Sequence, residues 1–204
     1  MMSAYLLLLG LVAGQATSPP PVVVVFQTEL GAITMEIDVA RAPVTAANFL
    51  KYVDGKFYDG GVFNRAVRPD NTTRKDVEIQ VIQVQSDPAR RRQGFPPIPL
   101  ERTNVTGLKH VDGALSMARS GPDSATSSFS IMVGDQPELD FGGKRNADGQ
   151  GFAVFGRVIG GMDVVKKIHA SKTSAAGAAP SGARLAYGTE TLDPPIKVIS
   201  AARK

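Results

Sequence analysis

Arg65 sits in the run Val62-Phe63-Asn64-Arg65-Ala66-Val67, a cation on a short apolar segment that reads as a strand. A guanidinium keeps its charge at any physiological pH and presents its N–H donors as a rigid planar fork. It can donate a hydrogen bond to an atom that gains electron density without giving up a proton. Other catalytic groups are scarce. The chain has no cysteine, which excludes a thiolate nucleophile, a Cys-ligated metal and a disulfide framework. Its two histidines are His110, in a loop, and His169, at a helix end where an imidazolium would meet the dipole favourably. Neither has a partner at metal-ligand spacing, so no metal and no cofactor is expected. No G-x-S-x-G elbow is present, and Gly149-Gln150-Gly151 lacks the third glycine and the preceding strand of a dinucleotide fingerprint. One reaction needs none of these groups. Rotation about an Xaa–Pro amide breaks no covalent bond, yet its barrier is about 20 kcal/mol. A donor aimed at the prolyl nitrogen weakens the amide resonance as that nitrogen pyramidalises, while an apolar pocket holds the ring. Arg65 is the candidate donor. It could equally be an arginine paired with a surface carboxylate, and the local sequence leaves both open.

The elements that must position Arg65 follow from periodicity. Residues 22–28 are β-branched, and Ile33, Met35 and Ile37 alternate with polar residues beyond Gly31, which predicts a hairpin. Pro43 opens a helix whose apolar stripe is Ala46, Phe49, Leu50, Val53 and Phe57, with Gly55 as its stop. Asn48 falls off that stripe. Further strands are predicted over 62–67, 77–84, 113–117, 127–133, 152–159 and 196–199, and a second helix over 162–169. In the strand over 127–133, Phe129, Ile131 and Val133 share one face and Ser128, Ser130 and Met132 the other. Residues 85–112 read as loop, and residues 170–191, rich in Ala, Gly, Ser and Thr, as a flexible one. Eight short strands without βαβ alternation predict a mainly β fold, a closed eight-stranded antiparallel barrel with the two helices capping its ends. The small and turn-forming residues over 113–165 suit a shallow groove that binds by main chain.

Residues 1–17 read as a cleaved signal peptide, built on an apolar run from Ala4 to Ala13 that is too short to span a bilayer. The expected product is one domain over 18–204, exported to a periplasm or secreted, without stable membrane insertion. A net charge of +4 and a pI near 9.4 are mild, and no nucleic-acid motif surrounds Arg90-Arg91-Arg92, so no nucleic-acid partner is expected. That arginine run reads as a solvated loop. Asn71-Thr72-Thr73 and Asn104-Val105-Thr106 match the N-glycosylation pattern.

The order of motifs resembles that of cyclophilin-type peptidyl-prolyl cis/trans isomerases. The matching segments are TELGAITMEI, APVTAANFLKYVDGKFYDG, VFNRAV, IQVIQ, GALSMAR, DSATSSFSIMV, ELDFG and GFAVFGRVIGGMDVV, which span nearly the whole chain after its first twenty residues. The resemblance implies an eight-stranded barrel with two capping helices, rotamase activity assisting the folding of exported proteins, proline-containing polypeptide substrates, and a monomer. Carried over by position, it assigns Arg65 as the catalytic arginine and Gln83 as the glutamine that supports it and binds substrate backbone. Ala118 and Arg119 take the segment that pairs with the peptide main chain. Leu139 lines the proline pocket, and Phe152 stands where relatives carry histidine or another ring.

The family's F-M-x-Q reads Gln80-Val81-Ile82-Gln83 here, which places Gln80 and Val81 at pocket positions, Gln80 in place of an aromatic wall. The family's S-Q-F-F reads Ser127-Ser128-Phe129-Ser130, so Ser128 replaces a substrate-binding glutamine and Ser130 a pocket phenylalanine. Phe129 falls where the family has a core phenylalanine. Glu138 stands where many relatives have Trp or Phe, and residues between Arg65 and Gln83 are more numerous than in common relatives. A buried ring contributes about 1.5–3 kcal/mol, so loss of two aromatic walls should weaken proline binding. The cyclosporin-type ligand of this family should then bind weakly, and submicromolar affinity by calorimetry would contradict that expectation. The same departures keep a second reading open, a catalytically weak proline-peptide binding module or chaperone with the same fold.

Overall fold

The computed structural model describes residues 19–72, 74–175 and 187–204. The signal-peptide reading therefore lies outside the described residues, as does half of the loop expected over 170–191. The eight strands are β1 (Val22–Thr28), β2 (Gly31–Ile37), β3 (Val62–Val67), β4 (Val81–Gln85), β5 (Ala114–Met117), β6 (Phe129–Met132), β7 (Val154–Gly160) and β8 (Thr191–Arg203). They close into an antiparallel barrel in the order β1-β2-β7-β5-β6-β4-β3-β8. Closure leaves no strand edge unpaired around the ring. The predicted helices are α1 (Pro43–Asp54) and α3 (Met162–Ala170), and a single-turn α2 (Thr103–Thr106) adds a third.

The barrel is filled by rings. Phe26 from β1, Phe129 from β6 and Phe155 from β7 meet Phe49 from α1 and Tyr58, with centroids 5.1–5.9 Å apart in most of these pairs. Such tilted and edge-on packing adds to what area burial alone provides. Tyr58 keeps its hydroxyl satisfied by donating to the Ser127 carbonyl at 2.6 Å. Phe129 is thus barrel core, as its alternation implied, and Ser128 and Ser130 face the other way.

Two close approaches demand glycine. Gly31 ends the first hairpin turn at φ +131°, and a Cβ there would lie 2.8 Å from Val164 on α3. Gly161 precedes α3 at φ +83°, and a Cβ there would lie 2.1 Å from the Ala32 carbonyl oxygen. Together they let α3 lie against the start of β2.

Helix α1 has no capping side chain of its own, since Ala42 precedes Pro43. Glu101 supplies the cap from a distant loop. Its carboxylate accepts from the main-chain N–H groups of Val44 (3.1 Å) and Thr45 (2.7 Å) and from the Thr45 hydroxyl (2.6 Å). The charge also suits the positive end of the helix. Asn48, off the apolar stripe, donates to the Thr126 carbonyl at 2.6 Å and tethers the loop before β6. The loop expected over 85–112 is mostly that, but a 3-10 turn occupies Pro88–Gln93. Within it Arg90 stacks on Phe57 at 4.2 Å and donates to the Gly55 carbonyl beyond α1, so this arginine is tied down rather than solvated.

Two predicted spans and one protonation state are corrected. The strand expected from residue 77 begins at Val81, because the main chain over 77–80 has other partners. Gln80 accepts from the Val133 N–H and donates its own N–H to the Gln136 side chain. Val77 and Ile79 are buried, so the alternation recorded side-chain burial and not a ladder. The last strand is longer than 196–199. Its pairing with β3 jumps from Phe63↔Ile196 to Arg65↔Thr191, and Pro194 and Pro195, which lack the ladder N–H, fall within that jump. His169 is buried against β3, with Nε2 donating to the Val67 carbonyl at 2.8 Å, and burial lowers its pKa, so it favours the neutral ring over the imidazolium expected at a helix end. Asn71 is also turned inward, donating from Nδ2 to the Ala66 carbonyl, whereas Asn104 is exposed on α2.

Candidate active site

Register alone assembles the polar row at the heart of the site. Arg65 on β3 lies opposite Gln83 on β4, Gln83 opposite Ser130 on β6, and Ser130 opposite Ser116 on β5. Directly opposed residues of antiparallel strands share a face, so these four side chains line up across the outside of the barrel. The next pair along that face is Val81↔Met132. Above the row lies a cleft of about 460 Å³. Val81, Met132 and Leu139 form its apolar floor, and Ala118, Arg119, Ser128 and Phe152 lie along its sides.

The structure therefore brings together nine of the ten predicted site residues, Arg65, Gln83, Val81, Ala118, Arg119, Ser128, Ser130, Leu139 and Phe152, around one cleft. Gln80 is the exception. With its main chain bound to Val133 and Gln136, it does not line the cleft, and Ile79 does so instead. The expectation that a polar glutamine replaces a ring in the wall is thus corrected to an aliphatic wall. Glu138 is likewise turned to its own loop, where its carboxylate accepts from the Lys144 N–H at 2.9 Å.

Arg65 is held from two sides. Its Nη1 donates to Gln83 Oε1 at 3.1 Å, and its Nε and Nη2 donate to Glu190 Oε2 at 2.8 and 2.6 Å. The Tyr187 ring lies against the guanidinium at 4.6 Å, with its hydroxyl accepting from Gln85. The carboxylate that pairs with Arg65 is buried and not on the surface, and the guanidinium also faces the cleft. Three of the five guanidinium N–H groups are engaged, which leaves one N–H on Nη1 and one on Nη2 for a ligand.

Arg119 plays a different part. Its side chain is 1% exposed and forms a bidentate pair with Asp148 at 2.7 and 2.9 Å, while Nε donates to the Gly151 carbonyl. It also stacks on Phe152 at 5.0 Å. These bonds hold the Asp148 carboxyl down to about 2 and fix the loop that carries Phe152. The Ala118 N–H is taken by the Ser128 carbonyl at 2.9 Å.

Beneath the cleft, His110 bridges Asp140, through Nδ1 at 2.8 Å, and Ser116 Oγ, through Nε2 at 2.8 Å. The atoms match a nucleophile–base–carboxylate relay. Ser116 is only 3% exposed, however, so the relay acts as a strut that ties β5 to the Leu139-Asp140 corner. Burial lowers the His110 pKa against the opposing pull of Asp140, which keeps the ring neutral.

Sequence reasoning missed Glu190, Tyr187, Ile79, Arg74 and Arg145, all of which come from loops or from the end of a 3-10 turn. Of the residues between Arg65 and Val81, Arg74 and Ile79 line the cleft. Arg74 pairs with Asp76 at 2.8 Å and donates to the Arg145 carbonyl at 2.8 Å. Among the described residues, no group of three or more His, Cys, Asp or Glu could hold a metal ion.

Comparison with known proteins places this geometry. The family model for cyclophilin type peptidyl-prolyl cis-trans isomerases matches residues 23–188. The chain is 35% identical to a peptidyl-prolyl cis-trans isomerase of Acinetobacter baylyi over 181 residues, covering 87% of this chain and 83% of that protein. It is 37% identical to peptidyl-prolyl cis-trans isomerase A of Dickeya dadantii, covering 76% of this chain and 74% of the relative. The fold is similar to the crystal structure of a cyclophilin type isomerase from Cryptosporidium parvum determined in the presence of the dipeptide Ala-Pro, with a TM-score of 0.66, 18% identity, and coverage of 89% and 98% of the two chains. A match of this extent to the family model, together with relatives above a third identical over most of both chains, makes the chain a member of the cyclophilin-type peptidyl-prolyl cis-trans isomerase family.

Proposed function

We propose that this chain catalyses cis/trans isomerisation of Xaa–Pro bonds with Arg65 as the donor to the prolyl nitrogen. The observation that carries this assignment is the pair of guanidinium N–H groups left unengaged over an aliphatic floor. The proline ring rests on Val81, Met132 and Leu139 beside Ile79. As the amide twists, the prolyl nitrogen loses conjugation and its lone pair localises. An N–H of Arg65 then meets that lone pair, an interaction stronger in the twisted state than in either planar one, which is what lowers a barrier. Gln83 and Glu190 keep the fork in place, so no reorganisation is needed at the moment of twist. No bond is made or broken, and the carbonyl before the proline swings past the rim formed by Ala118 and Ser128.

The substrate class is a proline-containing polypeptide, in keeping with the Ala-Pro dipeptide named for the Cryptosporidium relative. The apolar run over residues 4–13 supports export, with cleavage of residues 1–17 and action on exported proteins as a monomer. N-terminal sequencing of the cell-fractionated protein and its sedimentation mass test those two points. The small Ser128 and Ser130 at the cleft favour a second reading, a weak proline-peptide binder. Relaxation of a cis-enriched Ala-Pro peptide decides between them. The enzyme accelerates it and Arg65→Ala does not. No acceleration by the wild type returns the binder, and equal acceleration by both proteins removes Arg65 from the mechanism.

A further inference from the structure

All the charged residues that line the cleft are arginines, Arg65, Arg74, Arg119 and Arg145, and no Asp or Glu lines it among the described residues. Three of the four are neutralised from behind, Arg65 by Glu190, Arg74 by Asp76 and Arg119 by Asp148. Arg145 has no carboxylate partner among the described residues, where its side chain makes one hydrogen bond, from Nη1 to the Val77 carbonyl at 3.1 Å. Residues 1–18, 73 and 176–186 contain no Asp or Glu that could serve instead. The residue is nonetheless fixed. Its N–H donates to the Glu138 carbonyl at 3.1 Å, and its carbonyl accepts from Arg74 at 2.8 Å.

Half-buried, and with Arg65 and Arg74 nearby, this guanidinium stands in an unfavourable field. Burial, followed by those two cations, lowers its pKa. Glu190 and Asp76 pull the other way from a distance, without a hydrogen bond or ion pair to it and without offsetting the whole effect. A partly desolvated cation with no carboxylate in contact is costly, and an incoming anion relieves that cost. Four N–H groups of Arg145 remain for it, enough for a bidentate carboxylate. A cleft of about 460 Å³ holds only a few residues around the proline, so the anion must belong to a near neighbour.

We propose that Arg145 is a specificity-determining residue that reads an acidic side chain in the substrate, so that the enzyme prefers polypeptides with Asp or Glu within two residues of the isomerising proline. This rests on the cleft being the prolyl-peptide site. The preference comes from the loop over residues 142–150, while Arg65 supplies the chemistry.

The test uses peptides that differ only by Glu, Gln or Ala at the positions one and two residues before and after proline. The quantity read is the ratio of kcat/KM for each Glu peptide to its Gln counterpart at low ionic strength. At one or more positions the wild type gives a ratio of about ten, a step of about 1.4 kcal/mol. The ratio falls as salt is raised, because the pair is only partly shielded from solvent. In R145Q it drops to near one, and in R145K, which keeps the charge but not the fork, it lies between. A ratio near one at every position in the wild type overturns the proposal, as does a preference that survives in R145Q or does not respond to salt. If the wild type accelerates no peptide, including the Ala series, the isomerase assignment fails by itself. The Glu-to-Gln ratio of dissociation constants from calorimetry, read on the same peptides, then decides the role of Arg145 separately.

Discussion

The strand face and the loops that rim it hold their charges in different ways. On the strand face Arg65, Gln83, Ser130 and Ser116 are aligned by register across four neighbouring strands, and their spacing cannot change unless the barrel does. On the rim Arg74, Arg145, Glu190 and Tyr187 come from segments with few ladder bonds, held mainly by side chains gripping main-chain carbonyls. On the proposal above, the strand face carries the group that acts on the amide. On the same proposal, the loops of the rim choose the polypeptide and brace the acting group. Glu190 joins the two, since it leaves a rim turn to hold a strand-borne cation.

Breaking the strand face should have the largest effect. Arg65→Ala is expected to lower kcat/KM for an Ala-Pro peptide on the order of 10²-fold, the scale seen when one transition-state donor is removed. Removing the strut beneath the row should cost stability more than chemistry. His110→Ala leaves Asp140 and Ser116 without their shared partner, and a loss of about 1–3 kcal/mol is expected in urea unfolding. The same strut gives a pH dependence. His110 and His169 are both held below the ordinary value of 6.5 by burial, so the unfolded chain takes up protons that the folded one refuses. Their contribution is complete above that value and is lost as pH falls below it. Urea midpoints should therefore drop on going from neutral pH towards pH 5, and His110→Gln should flatten that slope.

The brace comes next. Glu190→Ala frees the Nε edge of the guanidinium, and about a tenfold fall in kcat/KM is expected, equivalent to about 1.4 kcal/mol. Glu190→Gln keeps an acceptor and should recover most of the rate, an outcome that separates positioning from simple loss of charge. Farthest from the cleft, Glu101→Ala uncaps α1 and should cost about 1 kcal/mol of stability while leaving the rate per folded molecule unchanged. A Glu190 variant without effect on rate would dissolve the distinction between rim and strand face, and a Glu101 variant that slowed the reaction would extend it to the helix.

The same division explains what could be read from the sequence. Strand alternation and the count of eight short strands without βαβ alternation disclosed the barrel, whose interior Phe26, Phe129 and Phe155 share. Arg65 was legible from its place on an apolar strand, and Gln83 through the family resemblance. Arg65 interrupts an apolar strand, and an interruption of that kind calls for a cause. Glu190 and Arg145 carried no such mark, since they lie among Gly, Thr, Lys and Asn where a charge is ordinary. Only the closed topology brings Glu190 next to a residue 125 positions earlier in the chain. Gln80 illustrates the opposite error. Matching it to a pocket position was a one-residue matter, and a shift of one residue along extended chain exchanges faces. Hence Ile79, not Gln80, meets the cleft.

Barrel closure also makes the site depend on the last strand of the chain. The ring shuts where β8 pairs with β1 and β3, joining Val24 to Arg203 and Arg65 to Thr191. Before β8 arrives, β1 and β3 each lack a neighbour, and Arg65 lacks both the strand beside it and the carboxylate of Glu190 just ahead of that strand. A nascent chain therefore has no working version of this site. A chain ending before Glu190 lacks both the strand that shuts the barrel and the brace of Arg65.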